Sequence, residues 1–364
     1  MNRNKKRNKL IVSAIMTALL ASPLAHFMAE GQPVAAAASV SKYKVTVQPF
    51  SIEGKKSSIG TINKNGSTYI ALRNLNTALG LTTNFNQTNQ LVEVSGNGRS
   101  LQINLSNNTI HLNGQPVFGP QVILQDNTTY LPLRFLLERM GYVISYQNST
   151  KQVGIQSIKE NDLQVQAEEI GADGDGKSLL VYYPVIKGYA REKVQDKINA
   201  FLKQETDKHI AAGSKEMDTV VKANNQLLIK NPKAEIRQPS LDGRFTVMYN
   251  ENGKLSLYVD YDLYMGGAHG MTTRVPYTFD LVTGDLISLK EAAGNADYVS
   301  IINSQITDHI NHRGLELSTP FKTIEADRDY YLSHDGIVIY FTEYEYTSYA
   351  EGMPEFIIPY SEFK

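Results

Sequence analysis

A histidine set among three glycines is the first place where this chain could do chemistry. His269 lies in Tyr264-Met265-Gly266-Gly267-Ala268-His269-Gly270, at the end of an alternating polar and apolar run. Glycines there let the backbone turn tightly, or let a ligand come close. The histidine reads either as a binding or catalytic group, or as a corner residue bonded to its own loop. A second candidate is Tyr340-Phe341-Thr342-Glu343-Tyr344-Glu345-Tyr346-Thr347-Ser348-Tyr349. As a strand it would put Tyr340, Tyr344 and Tyr346 on one face, and Phe341, Glu343 and Glu345 on the other. A tyrosine row suits recognition. Paired carboxylates could do acid–base work on a glycan, with His269 as their partner. A plain sheet face packed on a helix would account for the same tyrosines.

Two other constellations read as structure. His309 and His312, at i and i+3, could seat two metal ligands, but no third or fourth ligand lies near and His-Glu-x-x-His is absent. Asp173-Gly174-Asp175-Gly176 has the look of a calcium loop. That loop would need Asp or Asn where Lys177 stands and Glu where Pro184 stands, so it reads as a turn. No nucleophile elbow, phosphate loop, dinucleotide fingerprint or zinc signature occurs, and the histidines are dispersed. Neither a cofactor nor a metal is expected.

The elements that would carry these residues fall into two regions. In the first, residues 65–94 return 61 positions later at 126–155: Thr68-Tyr69-Ile70-Ala71-Leu72-Arg73 becomes Thr129-Tyr130-Leu131-Pro132-Leu133-Arg134, and Gly80 becomes Gly141. Such a period is one supersecondary unit used twice. Each copy reads as strand, helix, strand, strand. Leu72, Leu75 and Leu79 face one way in the first helix, and Leu133, Leu136, Leu137 and Met140 in the second, with the glycines ending them. Ser51-Ile52-Glu53-Gly54 matches His111-Leu112-Asn113-Gly114, so a hairpin precedes each unit. This scaffold spans about 42–158 and holds no set of residues resembling a catalytic site.

Composition changes near Ile158, after a short polar linker. Strands are expected at Leu163–Gln166, Ser178–Val185, Arg244–Tyr249, Lys254–Leu263, Arg274–Phe279, Leu286–Leu289, Gly336–Tyr346 and Glu355–Pro359, with a turn over 171–176. Two amphipathic helices interrupt them, Arg191–Ala211 and Ala296–Arg313. Strand runs broken by helices argue for an α+β fold in two domains, the second over 163–364.

The N-terminus adds a location. Arg3, Lys5, Lys6, Arg7 and Lys9 precede an apolar run from Leu10 to Ala21, followed by small residues at Ala35-Ala36-Ala37-Ala38-Ser39. Basic start, short apolar stretch and A-x-A spacing make residues 1–38 a secretory signal peptide. No other segment is apolar enough to span a bilayer. The formal net charge is −1 with the basic leader included, so the remainder is more acidic, which disfavours nucleic acid. Cysteine is absent, which fits a Gram-positive type of envelope better than a disulfide scaffold.

The duplicated Thr-Tyr-(Ile/Leu)-x-Leu-Arg unit resembles the copper amine oxidase N-terminal-like domain. That name refers to an extra module of the oxidases. Their core needs three copper histidines and an Asn-Tyr-Asp/Glu tyrosine, and this chain has no Asn-Tyr pair, so amine oxidase activity is not expected. The second region is similar to the extracytoplasmic domain shared by the lysozyme-sensing anti-sigma factor RsiV and the deacetylase PdaC. The residues that carry this are the 264–270 motif and Tyr344-Glu345-Tyr346-Thr347-Ser348-Tyr349-Ala350-Glu351-Gly352, running into Pro354-Glu355-Phe356-Ile357-Ile358-Pro359-Tyr360. No sigma-binding segment or deacetylase domain is expected beside it, leaving the sensing half alone. The resemblance implies an exported, secreted or wall-associated binding protein that recognises cell-wall polymer or a wall-directed protein such as lysozyme. Tyr264, Gly266, Gly267, His269, Tyr340, Glu343, Tyr344, Glu345, Tyr346 and Tyr349 are the candidate contact residues. A wall hydrolase or deacetylase, and a purely structural assembly module, are the alternatives.

Overall fold

The computed structural model describes residues 42–74 and 79–364, apart from the Arg73 side chain. The segment expected to be a signal peptide, residues 1–38, and the middle of the helix expected in the first copy, residues 75–78, lie outside the described residues. The architecture is mixed α+β, mostly sheet, in more than one domain. Its strands in chain order are β1 Val45–Ile52, β2 Lys55–Lys64, β3 Ser67–Ala71, β4 Thr82–Asn86, β5 Leu91–Gly96, β6 Arg99–Asn104 and β7 Thr109–Leu112. They continue as β8 Gln115–Val117, β9 Ile123–Gln125, β10 Thr128–Pro132, β11 Tyr142–Gln147 and β12 Gln152–Ser157. Helix α1, Leu133–Arg139, follows β10 directly. These strands form two sheets, ordered β11-β12-β1-β2-β3-β10-β9 and β4-β5-β6-β7-β8. Alternation explains the pairing: Val92, Val94, Leu101, Ile103 and Ile110 point inward from the second sheet onto Phe50, Ile70, Leu131, Leu136 and Ile155 in one core. The polar residues between them face outward.

The sequence-related strands β3 and β10 lie side by side, with Leu131 opposite Ile70. The pair β11–β12 joins the first sheet, where β12 runs parallel to β1, while β4–β5 joins the second. Similar segments therefore end in different sheets.

The rest of the chain has two large cores, with a smaller cluster of Tyr331, Val338 and Tyr340 beside them. Strands β13 Gln164–Gly174, β14 Lys177–Lys187, β15 Ser240–Glu251, β16 Lys254–Tyr264 and β17 Met271–Asp280 make a sheet in sequential order. Helix α2, Glu192–Lys230, covers it. Ile198, Leu202, Thr206, Gly213 and Met217 are its buried stripe. Each large apolar member contributes about 1.5–3 kcal/mol by burial. Gly213 is needed there for packing, because a Cβ would come 2.9 Å from Leu241 Cδ2. The second core lies between helices α3 Leu289–Ala293 and α4 Tyr298–Arg313 and a small sheet, β18 Tyr330–Leu332, β19 Gly336–Tyr340 and β20 Glu355–Pro359. Ser288 and Glu291 form a capping box at the start of α3. Among the described residues no helix is long and apolar enough to cross a membrane.

Four local expectations are corrected. Helix α2 runs past Ala211 to Lys230, because Gly213 packs instead of terminating and Lys177 Nζ ties Ser214 and Asp218 to the sheet at 2.7 and 2.6 Å. Strand β13 continues to Gly174, and only Asp175-Gly176 turns. Leu286 forms an isolated bridge to Phe279, and Leu289 opens a helix. The last tyrosine-rich strand stops at Tyr340, with 342–345 forming a turn.

The short linker acts as a clasp. Glu160 pairs with Arg99, whose guanidinium also donates to the carbonyl of Arg139 at 3.0 Å, at the end of α1. Asn161 bonds the β15–β16 turn on all sides: its amide donates to Asn250 Oδ1 at 3.0 Å and Lys254 O at 2.9 Å, and its Oδ1 accepts from Gly253 N at 2.8 Å. We predict that Asn161→Ala, which strips partners from these half-buried groups, lowers stability by about 1–3 kcal/mol in denaturant unfolding.

Candidate functional site

The β16–β17 hairpin places the glycine-rich loop. Asp262 and Thr272 face each other in its last rungs, and Thr272 Oγ1 donates to Asp262 Oδ2 at 3.1 Å. A Cβ at Gly270 would sit 2.5 Å from Asp262 Oδ1, so a side chain there would displace this carboxylate. Gly266 has φ +79°, the left-handed region that glycine enters freely. The loop is braced from below: Arg237 Nη1 and the Tyr264 hydroxyl both donate to Gly267 O, at 2.7 and 3.1 Å. Arg237 is held in turn by Asn224 of α2, whose amide donates to Arg237 O at 3.1 Å. The far end of the long helix thus supports the loop.

Opposite stands the turn after β19. Arg328 donates from both terminal nitrogens to Glu345, at 2.6 Å each, and from Nη2 to Tyr340 O at 2.5 Å. Glu345 Oε2 then accepts from Thr342 N at 2.8 Å and from Thr342 Oγ1 at 3.2 Å. This carboxylate closes the turn in which Tyr344 takes φ +62°. Among the described residues every other non-glycine with positive φ is Asn, Asp, Glu, Gln or Lys, so Tyr344 is the one bulky ring held there. Strain of this kind concentrates where a side chain must be presented in a fixed way.

The two loops meet in an exposed stack of rings. His269 lies 3.9 Å from Tyr349 at 21° between planes, and Tyr344 lies 5.6 Å from Tyr349 at 27°. Tyr344 is 49% exposed, so its ring is open to a partner. His269 Nδ1 donates to Gly270 O at 2.7 Å, since a carbonyl can only accept. Nε2 is left facing the Tyr344 hydroxyl at 3.3 Å. Glu343 flanks the stack, its Oε2 accepting from Thr272 N at 3.0 Å. The Tyr349 phenol is held above its ordinary pKa, first by desolvation and then by the Glu343 and Asp262 carboxylates.

Of the ten candidate residues, the structure brings together His269, Glu343, Tyr344 and Tyr349, with Tyr264, Gly266 and Gly267 as the frame of their loop. It separates the other three. Tyr340 is fully buried, its hydroxyl donating to Arg274 O at 3.1 Å. Tyr346 packs on Phe341 and Phe321 in the second core. Glu345 is occupied by Arg328. Neither glutamate bonds His269, so no histidine–carboxylate dyad is assembled. Asp262, Thr272, Arg237 and Arg328 were not singled out in the sequence. Asp262 could have been, because it stands as far before the loop as Thr272 stands after it. Arg328 carries no local signal.

His312 Nδ1 bonds its own helix at Asp308 O, 2.8 Å away, and His309 meets the Phe356 ring edge-on. Among the described residues, no group of three or more His, Cys, Asp or Glu side chains could hold a metal ion.

With fold and site in view, the chain falls into a recognisable class: a multi-domain α+β protein built from extracytoplasmic-type modules. Residues 43–155 match the copper amine oxidase N-terminal domain. Residues 170–272 match the family described as deacetylase PdaC, and 286–361 match a protein family of unknown function, DUF3298. The order is the one read from the sequence, and the region read there as one unit is covered by two family models. A DUF3298-family protein from Bacteroides fragilis shares 19% identity over 56% of this chain and 93% of its own, with a TM-score of 0.45. One from Pseudomonas aeruginosa shares 15% over 55% of this chain and 91% of its own, with a TM-score of 0.37. No curated protein matches the chain.

Burial works against the charge of Glu345, but Arg328 and the Thr342 donors outweigh it and hold the carboxyl below its ordinary value. A depressed value in the folded state means stability that is present above the unfolded carboxylate pKa. It is lost as pH falls through the folded one. We predict that Glu345→Gln costs about 1.5–3 kcal/mol at neutral pH. The gap from the parent chain should close on acidification, as read by thermal unfolding across pH.

Proposed function

We propose that this is an exported, non-catalytic envelope protein of a Gram-positive bacterium, with its signal peptide in residues 1–38. In this reading a scaffold built by duplication, about 42–158, carries a sensing region, about 163–364. That region recognises cell-wall polymer or a wall-directed protein such as lysozyme. The observation that carries the reading is the exposed His269–Tyr344–Tyr349 stack, fixed by a strained backbone on one side and a glycine loop on the other. Rigid aromatic surface with a polar tip is what recognition sites use, since little side-chain freedom is lost on binding.

Turnover is not part of this reading, because neither nearby carboxylate is paired with His269: Glu343 accepts from Thr272 N and Glu345 is held by Arg328. The middle family is described by the name of a deacetylase. We expect no acetate release from N-acetylated glycan by this chain, and His269→Ala should change no turnover.

Binding is tested with the purified chain against insoluble peptidoglycan and against lysozyme. We expect one of them to be held at about 1 μM or tighter, with Tyr344→Ala or Tyr349→Ala weakening it at least about tenfold. Absence of binding to both, or full binding by both variants, would overturn the reading.

A further inference from the structure

A polar groove lies where the second sheet of the front half meets the start of β13, well separated in sequence from the His269 loop and independent of the reading above. The outward face of β5, β6 and β7 is roofed by the start of β13, which turns a flat polar sheet face into a groove of about 520 Å³. Turns on either side bring the two together. Gly98, at φ +68°, abuts the Gln164 side chain, and Gly114, at φ +96°, abuts Ala167.

The chemistry of the lining is narrow. Ser95, Ser100, Gln102, His111, Gln164 and Gln166 supply amides, hydroxyls and one imidazole, with no carboxylate and no large aliphatic or aromatic surface. The single charge on the wall, Arg99, is neutralised by Glu160. Cross-strand register stacks these residues in rungs: Ser95 lies opposite Ser100, and Gln102 lies opposite His111. Gln102, His111 and Gln166 are half-buried, so their polar atoms are partly withdrawn from water. Their hydrogen bonds use only part of that capacity. Gln102 Nε2 donates to Glu93 at 2.8 Å, which frees its carbonyl oxygen. Gln166 Nε2 donates to Gln164 Oε1 at 3.3 Å, which frees the Gln166 oxygen and the Gln164 amide hydrogens.

From this we infer that the groove binds an uncharged saccharide chain through hydrogen bonds alone. Sugar hydroxyls both donate and accept, matching a wall that mixes free donors with free acceptors. A charged ligand finds no counter-charge there. An added peptide strand is blocked, because the edge of β13 is already bridged where Ala167 N donates to Asn113 O at 2.9 Å. Lacking an aromatic platform, the site should be weak for a short oligosaccharide, and strengthened by chain length.

The test titrates the full chain with the tetramer of N-acetylglucosamine and with an uncharged glucose tetramer, using calorimetry and amide shift mapping. We expect saturable binding of at least one, with Kd of about 1 mM or tighter. Shifts should centre on 95–102, 111 and 164–166. Gln164→Ala with Gln166→Ala should weaken it about tenfold with unchanged thermal unfolding, and Gln102→Leu provides a second, independent lesion. Tyr344→Ala should leave it intact, so failure here and failure of the aromatic site are distinguishable. No saturation by about 10 mM, binding untouched by both groove variants, or tighter binding of a sulfated oligosaccharide or a neutral peptide would overturn the proposal.

Discussion

The Arg328–Glu345 pair is the interaction on which the exposed His269–Tyr344–Tyr349 stack rests. A guanidinium presents a rigid fork to a carboxylate, so both bonds form in one geometry. Here the same fork also holds the carbonyl of Tyr340. The strand is thereby stopped at Tyr340, and the chain behind it is pulled into a closed turn. One consequence is inward: Tyr340, Phe341 and Tyr346 are committed to packing. The other is outward: Tyr344 has no choice but to lie over the histidine loop. An alternating run of aromatic and acidic residues is thus divided between core and surface by a single half-buried charge pair.

The histidine loop depends on a different set of supports, which reach it from far along the chain. Arg237 is brought there by the overlong helix α2, and Asp262 and Thr272 by the β16–β17 register. Supports from three elements leave the loop little freedom, and they explain why its glycines occur where they do. The front half is joined to this assembly by the Glu160–Asn161 clasp and by Gln115, whose amide exchanges bonds with the buried backbone of Phe245. A linker saturated with hydrogen bonds on both sides does not act as a flexible tether.

Much of this was legible in the residues, and the rest was not for physical reasons. The alternating run Lys254–Leu263 read correctly as a strand because Leu255, Leu257, Val259 and Tyr261 share one buried face. His269 among its glycines was recognisable because glycine and histidine have specific backbone and bonding uses. The limit of β19 was not legible, since Tyr-Glu-Tyr-Glu-Tyr has strand periodicity and is overruled by an arginine from another segment. Helix α2 was underread for a related reason. Gly213 resembles a terminator until Leu241 is seen against it. The polar groove was invisible because it belongs to two regions that meet only in three dimensions.

Hydrogen exchange of the chain, alone and with lysozyme or solubilised peptidoglycan, tests the central claim most directly. The account predicts slowed amide exchange at 265–272 and 342–351 with one of these ligands, while the core strands stay as they were. Unchanged exchange in both segments with both ligands, or protection confined to other surfaces, would contradict it.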